Sequence, residues 1–213
     1  WLMAKPEIKS LQDLKGKKIG VTGIGGTSHV AMTVALEKKG IGAKEYISVS
    51  VPPMQLVQSL ETRFVDAASL NPPYMFFAQR RGFVRLLDVG ALVEMPSGGL
   101  TALAKTIRSR PDEVKKVVRA LQTAKKTMLA SREKTLDLIT RVLKMDQETA
   151  LDTYRLVQSN FNDTGIPTPE GMANIVKAIK AEGRFTDRNV SFEEVADPRF
   201  AIEIAKELGY KVP

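Results

Sequence analysis

The sequence predicts an α/β fold: a mostly parallel five-stranded sheet with flanking helices, followed by an all-helical C-terminal segment. Three observations predict it. Short strand-like runs alternate with helical stretches up to residue 105, no strand-like run follows Ser109, and the 213 residues, 43% of them apolar, are enough to bury a sizeable core. Strands that alternate with helices are typical of βαβ units, whose strands lie parallel.

The first half of the chain supplies the predicted sheet. The segments predicted as strands are 18–22, 46–51, 65–70, 83–89 and 100–105. The helices predicted between them are 27–39, 52–63 and 72–81. Gly40 ends the first helix, because glycine is favoured just after a helix, and Pro52–Pro53 opens the second, because proline fits a first turn.

The second half carries only helical patterns. The predicted helices are 111–130, 132–143, 147–159, one beginning near Pro169, one opened by a capping box at Ser191–Glu194, and 200–208. Their apolar residues recur at helical spacing and leave faces that need a partner. We therefore predict an α/β lobe over residues 1–106 and a helical region over residues 107–213.

The rarity of cysteine and histidine excludes several kinds of chemistry. The chain has no Cys and one His, which excludes disulfides, thiolate zinc sites, a Cys nucleophile and multi-histidine metal sites. His29 has no Asp or Glu within six residues, so a catalytic triad is not expected there. The sequence predicts no catalytic residue, no metal site and no cofactor.

The basic charge does not indicate nucleic-acid binding. The net charge is +8, but no run of five or more basic residues occurs and only 6% of the residues are aromatic. Stacking platforms beside basic clusters are therefore missing, and no nucleic-acid partner is expected. The longest apolar runs are far shorter than the ~20 residues of a membrane span.

The most informative motif lies between the first predicted strand and the first predicted helix. Residues 22–29 read Thr-Gly-Ile-Gly-Gly-Thr-Ser-His. Glycines allow a close backbone approach, and the helix that follows presents unpaired N–H groups at its positive end. The side chains of Thr22, Thr27 and Ser28 add hydroxyl groups, and Gly25 and Gly26 complete the predicted ligand-binding loop. A carboxylate, sulfonate or phosphate would suit it, and the alternative is a plain strand-to-helix turn.

Nucleotide-binding motifs fit this loop poorly. A dinucleotide fingerprint requires glycine where Ser28 stands, and a P-loop requires a lysine after the glycines. The sequence therefore favours a small anion over a nucleotide.

A second candidate segment follows the third predicted strand. Asn71 and Tyr74 flank two prolines there, and ligands of open α/β sheets bind beyond the carboxyl ends of the strands. We predict both as ligand-binding residues, the alternative being that the prolines only shape the turn. Ser48 and Ser50, near the end of the second predicted strand, face the same crevice with less specificity.

Several segments together resemble a known family. Residues 9–22, 25–28, 59–68, 71–73 and 110–121 are similar, in order and spacing, to the second lobe of periplasmic solute-binding proteins of ABC importers. The branch that they resemble is the NMT1/THI5-like family of nitrate, sulfonate, taurine and pyrimidine-precursor proteins. The resemblance covers most of residues 7–130.

The resemblance implies a type II periplasmic-binding-protein-like lobe. It implies a substrate-binding component that is not an enzyme, closes two lobes on a small anion and delivers it to the membrane permease subunits. The family's ligand contacts would fall on Gly25, Gly26, Thr27, Ser28 and Asn71. The implied location is the periplasm, or the cell exterior with a lipid anchor.

The same resemblance implies a first lobe ahead of the matching segment. The segment that resembles the second lobe starts within the first ten residues of this chain, so we expect most of the first lobe to be absent. The helices of residues 107–213 would pack against it, and without it we expect them to self-associate. Two alternatives stay open: a ligand-sensing domain of a transcription regulator, and a relative of pyrimidine-precursor enzymes, which the lack of Cys disfavours.

Overall fold

A computed structural model describes residues 1–162, 164–181 and 183–212. The chain forms two compact units, one of Trp1–Ser97 with Glu170–Val190 and one of Gly98–Pro169 with Ser191–Pro213. These units group the chain differently from the predicted division at residue 106, which stays a prediction about the lobes of a larger protein.

A five-stranded sheet organises the first unit. Its strands are β1 (Leu2–Ala4), β2 (Lys18–Val21), β3 (Ile47–Ser50), β4 (Ala67–Ser69) and β5 (Val84–Leu87), in the order β3-β2-β4-β1-β5. β2 pairs in parallel with β3 and β4, whereas β1 is antiparallel to β4 and β5. Four strands therefore run in one direction, and the predicted α/β class is confirmed with one reversed strand inside the sheet.

Two strand predictions need correction. The segment 100–105 is not a strand: its end belongs to a helix over Ala104–Ser109, and Leu103 is 76% exposed. Its apolar residues do not alternate, and five of its six residues are Leu, Ala or Lys, which favour a helix. Conversely, the sequence prediction missed β1, whose three residues are fully buried. Three residues are too few to show a strand period.

The helices confirm the predicted alternation and the helical second half. They are α1 (Thr27–Lys38), α2 (Leu56–Glu61), α3 (Tyr74–Arg80), α4 (Ala104–Ser109), α5 (Pro111–Ala130), α6 (Arg132–Leu143), α7 (Gln147–Asn160), α8 (Pro169–Ala181), α9 (Phe192–Val195) and α10 (Arg199–Glu207). Short 3-10 turns occupy Leu11–Leu14 and Pro53–Gln55. In the described ranges, no helix is long and apolar enough to cross a membrane.

A partly buried ion pair links three strands of the first unit. Lys5, which follows β1 and is 6% exposed, places its Nζ 2.7 Å from Oδ1 of Asp66, which precedes β4. The backbone N–H of Lys18, at the start of β2, donates to Oδ2 of Asp66 at 3.0 Å. One carboxylate therefore joins the ends of β1, β2 and β4.

The environment of Asp66 keeps its carboxyl ionised. Burial raises the pKa of Asp66, but the hydrogen bonds from Lys5 and from the Lys18 amide, with the positive charge of Lys5, outweigh it and lower the pKa overall. Local sequence alone would explain an Asp at this position by a bond to the preceding turn. The structure adds the long-range partner.

The second unit is built around α5. Gln122, on its buried face, donates through Nε2 to the carbonyl oxygens of Thr164 at 2.6 Å and Ala201 at 3.0 Å. Ile204 and Ala205 of α10 are fully buried, and Lys115 of α5 forms an ion pair with Glu203. These contacts hold α5, α10 and the loop before α8 together.

Candidate functional site

The sheet brings the carboxyl ends of three parallel strands to one edge. Ile19 and Gly20 of β2 lie opposite Ala67 and Ala68 of β4, and Val21 of β2 lies opposite Ser50 of β3. The loops that follow β2 and β4 therefore begin side by side. Both predicted ligand-binding segments start at this edge, where open α/β sheets bind their ligands.

The loop between β2 and α1 needs its glycines. Gly25 has a φ of +77°, a left-handed conformation that residues with a Cβ rarely adopt. The N–H of Gly26 donates to the carbonyl of Gly23 at 3.1 Å, and a Cβ at Gly26 would lie 3.2 Å from that oxygen. The tight turn at Gly25 and Gly26 thus explains the motif.

This turn opens onto the start of α1. Gly26 is the residue before the first turn, where the N–H of Val30 closes the first helical hydrogen bond on the Gly26 carbonyl at 3.0 Å. The amides of Thr27 and Ser28 have no acceptor within the helix, and no side chain caps it. With the positive end of a 12-residue helix behind them, these amides favour a negative charge.

The same loop carries three hydroxyl side chains. The hydroxyls of Thr22 and Ser28 lie 2.9 Å apart in a hydrogen bond, and Thr27 is exposed. Each hydroxyl can donate or accept, so the pair can turn a proton toward a bound oxygen. The structure therefore brings together the five predicted residues of this loop. Their role in binding stays a prediction.

Asn71 and Tyr74 stand after β4 at the same edge. Asn71 is exposed and accepts the N–H of Met75 on its carbonyl at 3.3 Å. Tyr74 begins α3 and packs edge-on against Phe77 at 6.3 Å between ring centroids. In the described parts of the chain neither side chain has a hydrogen bond to residues 22–28, so they are neighbours at the edge rather than part of the loop's network.

Three further residues brace the loop. The N–H of Gly25 donates to Nδ1 of His29 at 3.0 Å, and Nε2 of His29 lies 3.2 Å from Oγ of Ser48 on β3. Ser69, 4% exposed at the end of β4, donates to the carbonyl of Ser28 at 3.3 Å. From the sequence, His29 is only judged unsuited to a catalytic triad, and Ser69 is not singled out. Only the position of Ser48, at the end of the second strand, pointed to the site.

The site offers dipoles and hydroxyls rather than fixed charges. Thr27 and Ser28 contribute the backbone amides at the start of α1, Asn71 contributes a side-chain amide, and Thr22, Thr27 and Ser28 contribute neutral hydroxyls. Among the described residues no group of three or more His, Cys, Asp or Glu side chains could hold a metal ion. The donors present suit an oxygen-bearing anion.

A family model and a curated relative match the sequence. The model described as NMT1/THI5 like matches residues 1–135. A binding protein of Brucella abortus strain 2308 is 26% identical over 151 residues, which cover 68% of this chain and 47% of that relative. The chain therefore spans about half the length of the curated relatives that it matches.

Solved structures share the fold at low identity. The periplasmic aliphatic sulphonate binding protein SsuA from Escherichia coli has a TM-score of 0.71 at 18% identity, over 94% of this chain and 69% of that one. The periplasmic nitrate-binding protein NrtA from Synechocystis PCC 6803 has a TM-score of 0.68 at 13% identity, over 98% and 64%. The desulfurization enzyme DSZB also matches, with a TM-score of 0.60 at 14% identity, over 97% and 76%.

These matches agree with the motifs found in the sequence. The solved structures confirm the periplasmic-binding-protein-like fold. The family model extends from the buried strand β1 into α6, through the glycine loop and the Asn71 segment. Since it matches well over half of the residues, the chain belongs to the NMT1/THI5-like family.

Proposed function

We propose that this chain is part of a substrate-binding component of an ABC importer. In the whole protein a small anion binds between two lobes and passes to the membrane permease subunits. The protein itself lies in the periplasm, or outside the cell on a lipid anchor. The observation that carries the proposal is the glycine turn that opens onto the uncapped start of α1 beside the Thr22–Ser28 hydroxyl pair. The names of the sulphonate- and nitrate-binding neighbours support it.

The donors of the loop set the class of ligand. The amides of Thr27 and Ser28 can only donate, so the group opposite them has to accept hydrogen bonds. Sulfonate, nitrate and carboxylate groups are pure acceptors that carry the charge that a helix start favours. We therefore propose a small oxygen-bearing anion, and assign its contacts to Thr22, Thr27 and Ser28, with Asn71 and Tyr74 at the margin.

The chemistry at this edge supports binding rather than catalysis. The fold alone does not separate the two, since the DSZB enzyme shares it. The chain, however, has no Cys, and both ring nitrogens of its sole His are engaged, by Gly25 and by Ser48. We propose a role without catalytic residue, cofactor or metal.

Ligand-linked stabilisation tests this function. The chain would be unfolded with urea in methanesulfonate, nitrate, acetate or chloride at matched ionic strength. An anion present at ten times its dissociation constant is expected to stabilise the folded state by about 1.4 kcal/mol. Stabilisation by methanesulfonate or nitrate beyond that by chloride supports the proposal. Equal effects of all four anions contradict it.

We also propose that the second unit self-associates through an apolar surface, here called the α5–α6 surface. We assign it to Val117 and Leu121 of α5, 49% and 52% exposed, and to Leu138 and Val142 of α6, 51% and 61% exposed. Each pair is four residues apart and so lies on one helix face. Apolar groups exposed in this way favour association.

Sedimentation across a hundredfold concentration range tests this association. The mean mass is expected to rise with concentration, because apolar surface is buried between copies. Leu121→Lys with Val142→Lys is expected to return the chain to a monomer. Met54→Lys is the control, since Met54 is an apolar residue of the first unit that is 81% exposed. A wild-type chain that stays monomeric throughout would show the proposal to be wrong.

A further inference from the structure

We propose that His29 is a positioning residue for the anion loop: as a neutral ring protonated on Nε2, it holds the Gly25 amide and so presents the amides of Thr27 and Ser28 to the ligand. The identity of the ligand rests on the proposed function. The hydrogen bond between Gly25 and His29 is independent of that function. It assigns the only histidine of the chain a task that neither the motif nor the family match gives it.

The hydrogen bonds fix the position of the proton on the ring. An amide N–H can only donate, so Nδ1 of His29, 3.0 Å from the Gly25 nitrogen, has to offer its lone pair. The proton of the neutral ring is then on Nε2, which donates to Oγ of Ser48 at 3.2 Å. A ring protonated on Nδ1 instead would point two donors at each other.

This contact closes the loop over four residues. Gly25 is in a left-handed conformation, and its amide is tied to the side chain at the end of the first helical turn. Through Ser48, the same ring ties that turn to β3. The His29 side chain therefore links the start of α1 to the glycine loop, through Gly25, and to the sheet, through Ser48.

The contact also divides the predicted ligand residues into two groups. The Gly25 amide is occupied by His29, and the Gly26 amide donates to the Gly23 carbonyl at 3.1 Å. These two glycines shape the loop rather than donate their amides to the anion. The donors left at the helix start are the amides and hydroxyls of Thr27 and Ser28.

Nuclear magnetic resonance of the single imidazole tests the central contact. One histidine gives one set of ring signals, so long-range nitrogen–proton correlations at neutral pH report its tautomer without ambiguity. A ring protonated on Nε2 alone, with a Gly25 amide shifted as expected for a bond to nitrogen, supports the proposal. A ring protonated on Nδ1, or on both nitrogens, overturns it.

A pair of substitutions separates positioning from packing. His29→Asn keeps an acceptor oxygen near the place of Nδ1, whereas His29→Gln keeps a polar group near the place of Nε2 and has no acceptor near Nδ1. The Gly25 amide signal is expected to stay near its wild-type position in His29→Asn and to move in His29→Gln. Affinity for methanesulfonate is expected to stay within about threefold in the first variant and to fall about tenfold in the second, as loss of one hydrogen bond implies.

The outcomes are separable from those of the functional test. Urea midpoints are expected to match between the two variants, so a shared loss of stability with no difference at Gly25 would indicate a packing role and overturn the proposal. If the wild-type chain binds neither methanesulfonate nor nitrate, the anion site proposed on this chain fails. The ring tautomer and the Gly25 signal of the two variants still decide whether His29 positions the loop.

Discussion

Replacing Asp66 by alanine is expected to lower the free energy of unfolding by about 3 kcal/mol, near the lower end of the effect of breaking a buried ion pair. Lys5 is 6% exposed and would lose the carboxylate that lies 2.7 Å away. The amide of Lys18 would lose its acceptor as well. A loss at the lower end of that range is expected because the Asp66 side chain is 26% exposed, so water can partly take the place of its carboxylate.

The fluorescence of the sole tryptophan provides the measurement. Trp1 lies directly before β1, the strand that Lys5 follows. Its emission during a urea titration therefore reports the unfolding of the first unit. Glu7→Gln is the matched control, because Glu7 pairs with Arg63 at 3.1 Å but the two side chains are 52% and 72% exposed. A pair exposed to this degree is expected to contribute less than about 1 kcal/mol. Equal losses in Asp66→Ala and Glu7→Gln would contradict the structural role.

The same pair predicts a pH dependence. The pKa of Asp66 is lowered in the folded state, against the opposing effect of burial, by its bonds to Lys5 and Lys18. A lowered pKa means that the folded state binds the proton less readily than the unfolded state, so the stabilisation is present above the ordinary pKa of about 3.9 and is lost as the pH falls through the folded value. The difference in stability between the wild type and Asp66→Asn is therefore expected to be constant above about pH 5 and to shrink below about pH 4.

Replacing Thr27 and Ser28 together by alanine is expected to weaken binding of methanesulfonate about a hundredfold. Hydrogen bonds to a charged group contribute at least about 1.5 kcal/mol each, so the loss of two costs about 3 kcal/mol, or roughly a hundredfold in affinity. The backbone amides at the start of α1 remain, so some affinity should persist. Thr62→Ala is the control: Thr62 is an exposed threonine of the first unit whose hydroxyl donates to the Gln58 carbonyl at 3.0 Å.

Titration of nitrogen-15 labelled chain with methanesulfonate measures both affinities. Thr62→Ala is expected to bind like the wild type, because it leaves the loop intact. Unchanged affinity of the double variant for each of methanesulfonate, nitrate and acetate would show that the loop is not the anion site.

Local patterns in the sequence predicted much of the fold. The glycine turn between a strand ending near Val21 and a helix beginning at Thr27 follows from turn and helix-start chemistry, and α5 and α6 have the predicted bounds. β1 could not be predicted, because a three-residue strand acquires its identity only by pairing with β4 and β5. The strand predicted at 100–105 is wrong for a different reason: four of its six residues are apolar but do not alternate, and the segment runs into the helix Ala104–Ser109.

In the candidate site, too, the sequence predicts the contiguous residues but not the contacts between distant ones. Thr22, Gly25, Gly26, Thr27 and Ser28 are contiguous enough for the sequence to bring them together. The bond between His29 and Ser48 joins residues that are 19 positions apart, and it depends on the register of β2 against β3. Sequence spacing does not encode that register. The same holds for Ser69, which reaches the Ser28 carbonyl only because β4 lies beside β2.

Mapping of the anion on the labelled chain tests the central claim most directly. Backbone amide signals would be followed during titration with methanesulfonate at constant ionic strength, with chloride as the exchanged anion. Saturable shifts are expected at the amides of Thr27 and Ser28, with a single dissociation constant and with no matching shifts on α5 or α6. Saturation at another place, such as the lysine-rich residues 15–18, or linear shifts without saturation across the basic surface, would contradict the assignment of the anion site to the start of α1.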